Sequence, residues 1–497
     1  MHANSQPDDT IDVTTAAGTV RGFWRGDSAA FLGVPYAQPP VGALRFAAPV
    51  PHAPWEGVRD ATAYGPTPQR KTLSEVTIIP EPSIPGDSTL SVNVFTPAPE
   101  RTQTGGLPVL VYIHGGGFVA GSAASPWYDG AAFNRDGVVV VTLSYRLGFD
   151  GFGVIADAPH NRGVLDWLLA LQWVSENIRS FGGDPGRVTI AGQSAGGAAV
   201  LTLLGMPQAQ GLFSRAHCVS GPAADVSLDR AEALGRRLAE LGGVPPTRAG
   251  LASLSEDRVL ELQKQVAPVA QQGGDPLPGL IDLLSGGLPL GPVVDGELLA
   301  VPTLEALRSG VGADKELVLG ANDHEFNMVL TRAPEKFAAV APETVLSQLG
   351  CDEQTAAAYV TDHAALDTAG VVGQFVTDCV FRATAVRVVQ ARGAAPTWLY
   401  RFAWRSAVSR EAMHCLDMPF YFDCLGADGV TAITGAEPPQ ALADDVHGAA
   451  VAFIRDGHPG WPACAALGEV AAQVFDTPSH VAADGYADVR QPLAVTS

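Results

Sequence analysis

Short uninterrupted apolar runs recur through the middle of the chain, separated by stretches with apolar residues every third or fourth position. "LPVLVYI" (107–113), "GVVVVTL" (137–143) and "RVTIAG" (187–192) lack polar alternation, the pattern of strands covered on both faces of a parallel sheet. "LDWLLALQWVSENIRSF" (165–181) has helical spacing, and "AGGAAVLTLLGM" (195–206) reads as an Ala-rich helix. "SRAHCVSG", "ELVLGAND" (316–323) and "PTWLYRFAW" (396–404) continue the strand series. Such alternation predicts an α/β chain with a mostly parallel sheet flanked by helices. Between about 222 and 315 the chain is Leu/Ala-rich, broken by "GGVPPT" and "QQGGDPLPG". It reads as helices inserted above the sheet, within one domain spanning residues 1–497.

Composition narrows the function. Hydrophobic residues make up 46% of the 497, enough for a large buried core. A formal net charge of −21 would be repelled by phosphate backbones and anionic lipid, so no nucleic-acid or membrane partner is expected. The polar, acidic start "MHANSQPDDTIDV" has no signal-peptide pattern, and no apolar run reaches membrane-spanning length. The cysteines (218, 351, 379, 415, 424, 464) lack metal-ligand spacing and read as free thiols. The expectation is a cytoplasmic monomer or homodimer.

One stretch stands apart. "IAGQSAGGA" (190–198) crowds Ser194 with small residues. Glycine is frequent here, 55 in all, so a merely well-packed turn is one explanation. The other is that Gly192-Gln193-Ser194-Ala195-Gly196 matches G-x-S-x-G between a strand and a helix, a sharp turn that presents a nucleophilic hydroxyl. "HGGGF" (114–118) directly follows another strand. Its glycines could form a flexible loop, or supply unobstructed backbone N–H donors for an oxyanion.

Taken together, these motifs resemble the type-B carboxylesterases of the α/β-hydrolase fold. The likeness extends over nearly the whole chain: "FLGVPYAQPPVGALRFAAPVPHAPWEGVRDATAYGP" (31–66), "NRGVLDWLLALQWVSENIRSFGGDPGRVTIAGQSAGG" (161–197), "GPVVDGELL" (291–299) and "VTDCVFR" (376–382) are its landmarks. The resemblance implies a triad in the order Ser, acid, His. "LGANDHEFNMV" (319–329) is similar to the acid segment and puts the acid at Glu325, with Asp323 as the alternative. "AMHCLDMPFYF" (412–422) is similar to the histidine loop and makes His414 the base. The N–H groups of Gly116, Gly117 and Ala195 would then form the oxyanion hole, and no cofactor or metal is implied.

Several positions depart from the family pattern. Gln193 stands where many relatives carry glutamate, which points to neutral over cationic esters. Residues 69–94 contain no aromatic side chain, so they supply no cation–π cage and a cholinesterase is not expected. Thr89 and "TPQ" (67–69) stand where the resemblance would put the two cysteines of a disulfide. The resemblance also implies an Arg45–Asp87 ion pair. The "HCLDMPF" wording, with Cys415 after the histidine, resembles bacterial arylcarbamate hydrolases, and Cys415 itself reads as a packed loop cysteine and not as a thiol nucleophile. The first expectation is a serine carboxylesterase acting on small, uncharged esters. The alternatives are an aryl carbamate or aromatic diester hydrolase, and a catalytically silent binding module.

Overall fold

A computed structural model describes residues 9–70, 78–99, 105–267, 276–327, 330, 334–337, 339–464 and 470–495. The first strands in chain order are β1 (Thr10–Thr14), β2 (Thr19–Arg25), β3 (Ser28–Pro35), β4 (Val58–Asp60) and β5 (Ser91–Thr96). Then come β6 (Leu107–Ile113), β7 (Val139–Leu143), β8 (Gly183–Gln193), β9 (Arg215–Val219), β10 (Val226–Ser227) and β11 (Val293–Val294). The last are β12 (Glu316–Asn322), β13 (Thr397–Phe402), β14 (Ala472–Phe475) and β15 (His480–Ala482).

Among the described residues thirteen strands form one sheet, ordered β1-β2-β3-β5-β7-β6-β8-β9-β12-β13-β14-β15 with β4 beside β2. From β7 through β14 every neighbouring pair is parallel. The pairs β1–β2, β2–β3, β3–β5, β5–β7 and β14–β15 are antiparallel.

Strand β6 explains the missing alternation. Val109, Val111 and Ile113 enter one hydrophobic cluster with Trp167, Leu171 and Val200, while Leu110 and Tyr112 enter a second with Phe133, Phe422 and Phe453. Successive side chains point to opposite faces, and helices cover both, so apolar residues are required at every position. The helices Arg162–Asn177 and Ala195–Leu204 contribute to the first cluster, and Gln440–Asp456 to the second. With parallel strands in the centre, the chain leaves β6, β8 and β12 at the same edge, where α/β sheets build their sites.

Residues 222–315 carry, among the described residues, the helices Leu228–Gly242, Arg248–Ala252, Glu256–Val266, Leu277–Gly286 and Thr303–Arg308, together with the small β10–β11 ladder. Two landmark segments meet there: the Asn161 amide accepts from Val293 N and donates to Val293 O and Asp295.

The expected Arg45–Asp87 pair does not form. Arg45 instead reaches Asp150 at 3.4 Å and donates to the carbonyl of Leu254 at 2.6 Å, with its guanidinium over the Phe46 ring. Asp87 is exposed, where an ion pair is screened and adds little. Among the described residues no helix is long and apolar enough to cross a membrane, and the six cysteines are unpaired.

Candidate active site

Strand β8 delivers Ser194 directly into the helix Ala195–Leu204. Its backbone takes φ 59°, ψ −123°, a conformation that costs a non-glycine residue about 1–3 kcal/mol and persists only when its surroundings enforce it. Ser194 N–H donates to Val219 O at 2.9 Å, and Ser194 O accepts from Ala198 N at 2.9 Å. The small neighbours are a steric necessity. A Cβ on Gly192 would lie 2.4 Å from Gly196 O, and one on Gly196 would lie 2.0 Å from Ile113 O. Any side chain at either position would collide with backbone.

The loop after β6 packs against this turn: a Cβ on Gly115 would stand 3.1 Å from Ser194 Cβ. Gly116 and Gly117 adopt φ 104° and 61°, values that suit glycine. Tyr145 Oη donates to His114 O at 2.9 Å and Gly148 N–H donates to Phe118 O at 2.7 Å, pinning the loop from both ends. Burial holds the His114 ring neutral, at about 4. Among the described residues, no acceptor receives the N–H groups of Gly116, Gly117 or Ala195. Three free donors therefore sit in the loop and turn around Ser194.

Glu325 follows β12 and is fully buried, and His414 is 8% exposed. Glu325 Oε2 lies 2.5 Å from His414 Nδ1, while its Oε1 accepts from Asn322 N at 2.7 Å. The two loops are also joined through backbone: His414 N donates to Glu325 O at 3.2 Å, and His324 N to Ala412 O at 3.0 Å. Asp323 is engaged elsewhere, bound through both carboxylate oxygens by Arg401. Burial works against a charged His414 ring, but the Glu325 carboxylate against Nδ1 favours it, and its basicity is raised well above the ordinary histidine value of 6.5. Burial in turn raises the Cys415 thiol.

Gln193 Nε2 lies 3.2 Å from His414 Nε2. The Ser194 hydroxyl is half-buried, and among the described residues it has no hydrogen-bond partner. The rings of Phe326 and Phe381 flank His414 at 5.4 and 5.2 Å. Phe381 is carried by a π-helical turn, Asp378–Arg382, which lies within the landmark "VTDCVFR". Thr377 Oγ1, at the edge of that turn, accepts from Phe326 N at 2.9 Å and steadies the acid loop.

Ser194, Glu325, His414 and the glycine loop thus meet at one edge of the sheet. Sequence reading did not identify Asn322, Phe326 or Phe381 as parts of the site. Asn322 and Phe326 lie within the acid segment 319–329 and Phe381 within the landmark 376–382, but a contact between distant loops leaves no periodic trace that would assign them a role.

The carboxylesterase family profile matches residues 9–467. The chain is 32% identical to the para-nitrobenzyl esterase of Bacillus subtilis (91% of this chain, 92% of that one). It is also 32% identical to the phenmedipham hydrolase of Pseudarthrobacter oxydans (95% and 96%). A solved carboxylesterase of Geobacillus stearothermophilus superposes with a TM-score of 0.84 at 33% identity, covering 97% of this chain and 99% of that one. The architecture is that of the α/β-hydrolases. With the site geometry, the matched profile and these full-length relatives in agreement, the chain belongs to the carboxylesterase family and is a carboxylic ester hydrolase.

Proposed function

We propose that Ser194 is the nucleophile, His414 the general base and Glu325 the acid that orients it, acting on small, uncharged carboxylic esters. The observation that carries this reading is the 2.5 Å contact between Glu325 Oε2 and His414 Nδ1 on the loops facing the strained Ser194 turn. With Nδ1–H held by the carboxylate, Nε2 presents its lone pair. Ser194 Oγ turns towards it, loses its proton and attacks the ester carbonyl. The tetrahedral oxyanion is met by the N–H groups of Gly116, Gly117 and Ala195, each such donor worth about 3 kcal/mol. His414 then protonates the departing alcohol, and water repeats the sequence on the acyl-enzyme.

Gln193 adds no negative charge beside the oxyanion, which supports a preference for uncharged substrates. Similarity to phenmedipham hydrolase favours a second reading, aryl carbamate hydrolysis by the same residues. The unpaired cysteines support a reducing, cytoplasmic setting.

The test is hydrolysis of para-nitrophenyl acetate, butyrate and octanoate by wild type and Ser194→Ala. The variant should lose roughly four orders of magnitude or more in kcat/KM, and wild type should favour the short chains. Equal activity in both proteins would mean that another residue is the nucleophile.

A further inference from the structure

A second buried carboxyl stands close to the Glu325–His414 pair. Asp417, three residues after the histidine, is 2% exposed. Asn322 joins Asp417 to Glu325 and to the backbone just before His414. Its N–H donates to Glu325 Oε1 at 2.7 Å, and its Nδ2 donates to Met413 O at 2.7 Å and to Asp417 Oδ1 at 3.3 Å. On its other side Asp417 lines a cavity together with His217, Tyr400, Tyr421 and Trp461. Tyr400 Oη and Trp461 Nε1 are buried and, among the described residues, have no hydrogen-bond partner. Among the described residues no lysine or arginine lines this cavity.

Two carboxylates in one desolvated region repel each other, and the one with weaker compensation keeps a proton. Glu325 has the imidazole and a backbone N–H at short range, whereas Asp417 receives one neutral amide at 3.3 Å. An un-ionised carboxyl can itself donate, and Tyr400 Oη and the His217 ring are potential acceptors in the cavity. We propose that Asp417 is a positioning residue that keeps its proton below neutral pH, held against a largely apolar cavity lined by His217, Tyr400 and Trp461, so that there Glu325 is the single negative charge behind His414. The inference rests on the roles of Glu325 and His414 proposed above. A second charge there would hold the proton on the imidazole, and an imidazolium cannot accept one from Ser194.

The titratable groups facing Asp417 are Glu325 from the acid loop, His414 and Cys415 from its own loop, Tyr421 from the following helix, and Tyr400 from β13. Across the cavity stands His217 of β9, kept neutral by burial at about 3. Burial first, then the Glu325 charge, push Asp417 from its ordinary 3.8 up to about 7. A folded-state value above the unfolded one gives stability that is complete below 3.8 and declines as pH rises to about 7.

The experiment is thermal unfolding of the full chain from about pH 5 to about pH 8 for wild type, Asp417→Asn and Glu325→Gln. The asparagine imitates the un-ionised acid. Wild type should therefore lose a few degrees of Tm relative to Asp417→Asn across that range. Glu325→Gln removes the neighbouring charge and should flatten the wild-type decline. Infrared difference spectra of wild type against Asp417→Asn at the acid end should show the carbonyl stretch of an un-ionised carboxyl. Parallel Tm curves, or absence of that band, would overturn the proposal. If Asp417→Asn does not fold, Asp417→Ser takes its place in both comparisons, and parallel Tm curves again overturn the proposal. Ser194→Ala should keep the wild-type Tm slope, so an active Ser194→Ala would defeat the triad reading while the Tm result stood separately.

Discussion

The side-chain amide of Gln193 lies 3.2 Å from Nε2 of His414, on the opposite ring nitrogen from the one bound by Glu325. Glu325 fixes the proton on Nδ1, so Nε2 accepts and the Gln193 N–H donates. The amide therefore occupies the hydrogen-bond position that the proposed mechanism gives to the Ser194 hydroxyl during attack. Replacing it by a carboxylate reverses the contact, because a carboxylate accepts only from the protonated ring. Gln193→Glu should move the acid limb of kcat/KM upward by about one pH unit and improve cationic esters relative to neutral ones. An unmoved limb would show that the amide does not influence the base.

The basicity of His414 sets its own expectation. Its value is raised well above 6.5, and the base must be neutral to act. Activity should be lost as pH falls, with the acid limb of wild-type kcat/KM lying above 6.5. A limb below that value, measured over a full pH series, would contradict the charge relationship with Glu325.

Two carboxylates two residues apart offer a direct contrast. Glu325→Gln removes the partner of Nδ1 and should lower kcat by roughly 10³–10⁴. Asp323→Asn leaves His414 untouched and breaks the bidentate pair with Arg401, so it should lower Tm and leave kcat close to wild type. Comparable kcat losses in both variants would mean that the acid has been misassigned.

The glycine loop is open to a steric test. A Cβ on Gly116 would stand 2.2 Å from Ala120 O, on a backbone with φ 104°. Gly116→Ala should displace the donor peptide and reduce kcat by roughly 10²–10³ with a smaller change in KM. A variant with normal kcat would remove Gly116 from the oxyanion hole.

The central sheet was legible because burial on both faces writes itself into sequence as unbroken apolar runs, as β6 and β8 show. The antiparallel edge was not. Strands such as "TIDVT" (Thr10–Thr14) are half-exposed and too short for a pattern to separate them from loops. Ser194 and the glycine loop were legible because a sharp turn and a close backbone approach exclude side chains locally. Arg45 misled, because its partner is chosen by the three-dimensional path of the 148–152 and 248–254 segments. Asn322 and Phe326 sit beside Glu325 in the chain, but their contacts with the His414 loop, like that of Phe381, join segments far apart in sequence, and no local rule marks them.

The pairing of the acid and histidine loops has a consequence for how the protein is made. Gln193 and His414 are 221 positions apart, and the bridge between His324 and Met413 needs a residue that follows β13 in the chain. A nascent chain emerging from its N-terminus can form the Ser194 turn and the glycine loop long before the base exists. Until the last quarter of the polypeptide arrives, the growing chain carries Ser194, the proposed nucleophile, without the histidine proposed to activate it.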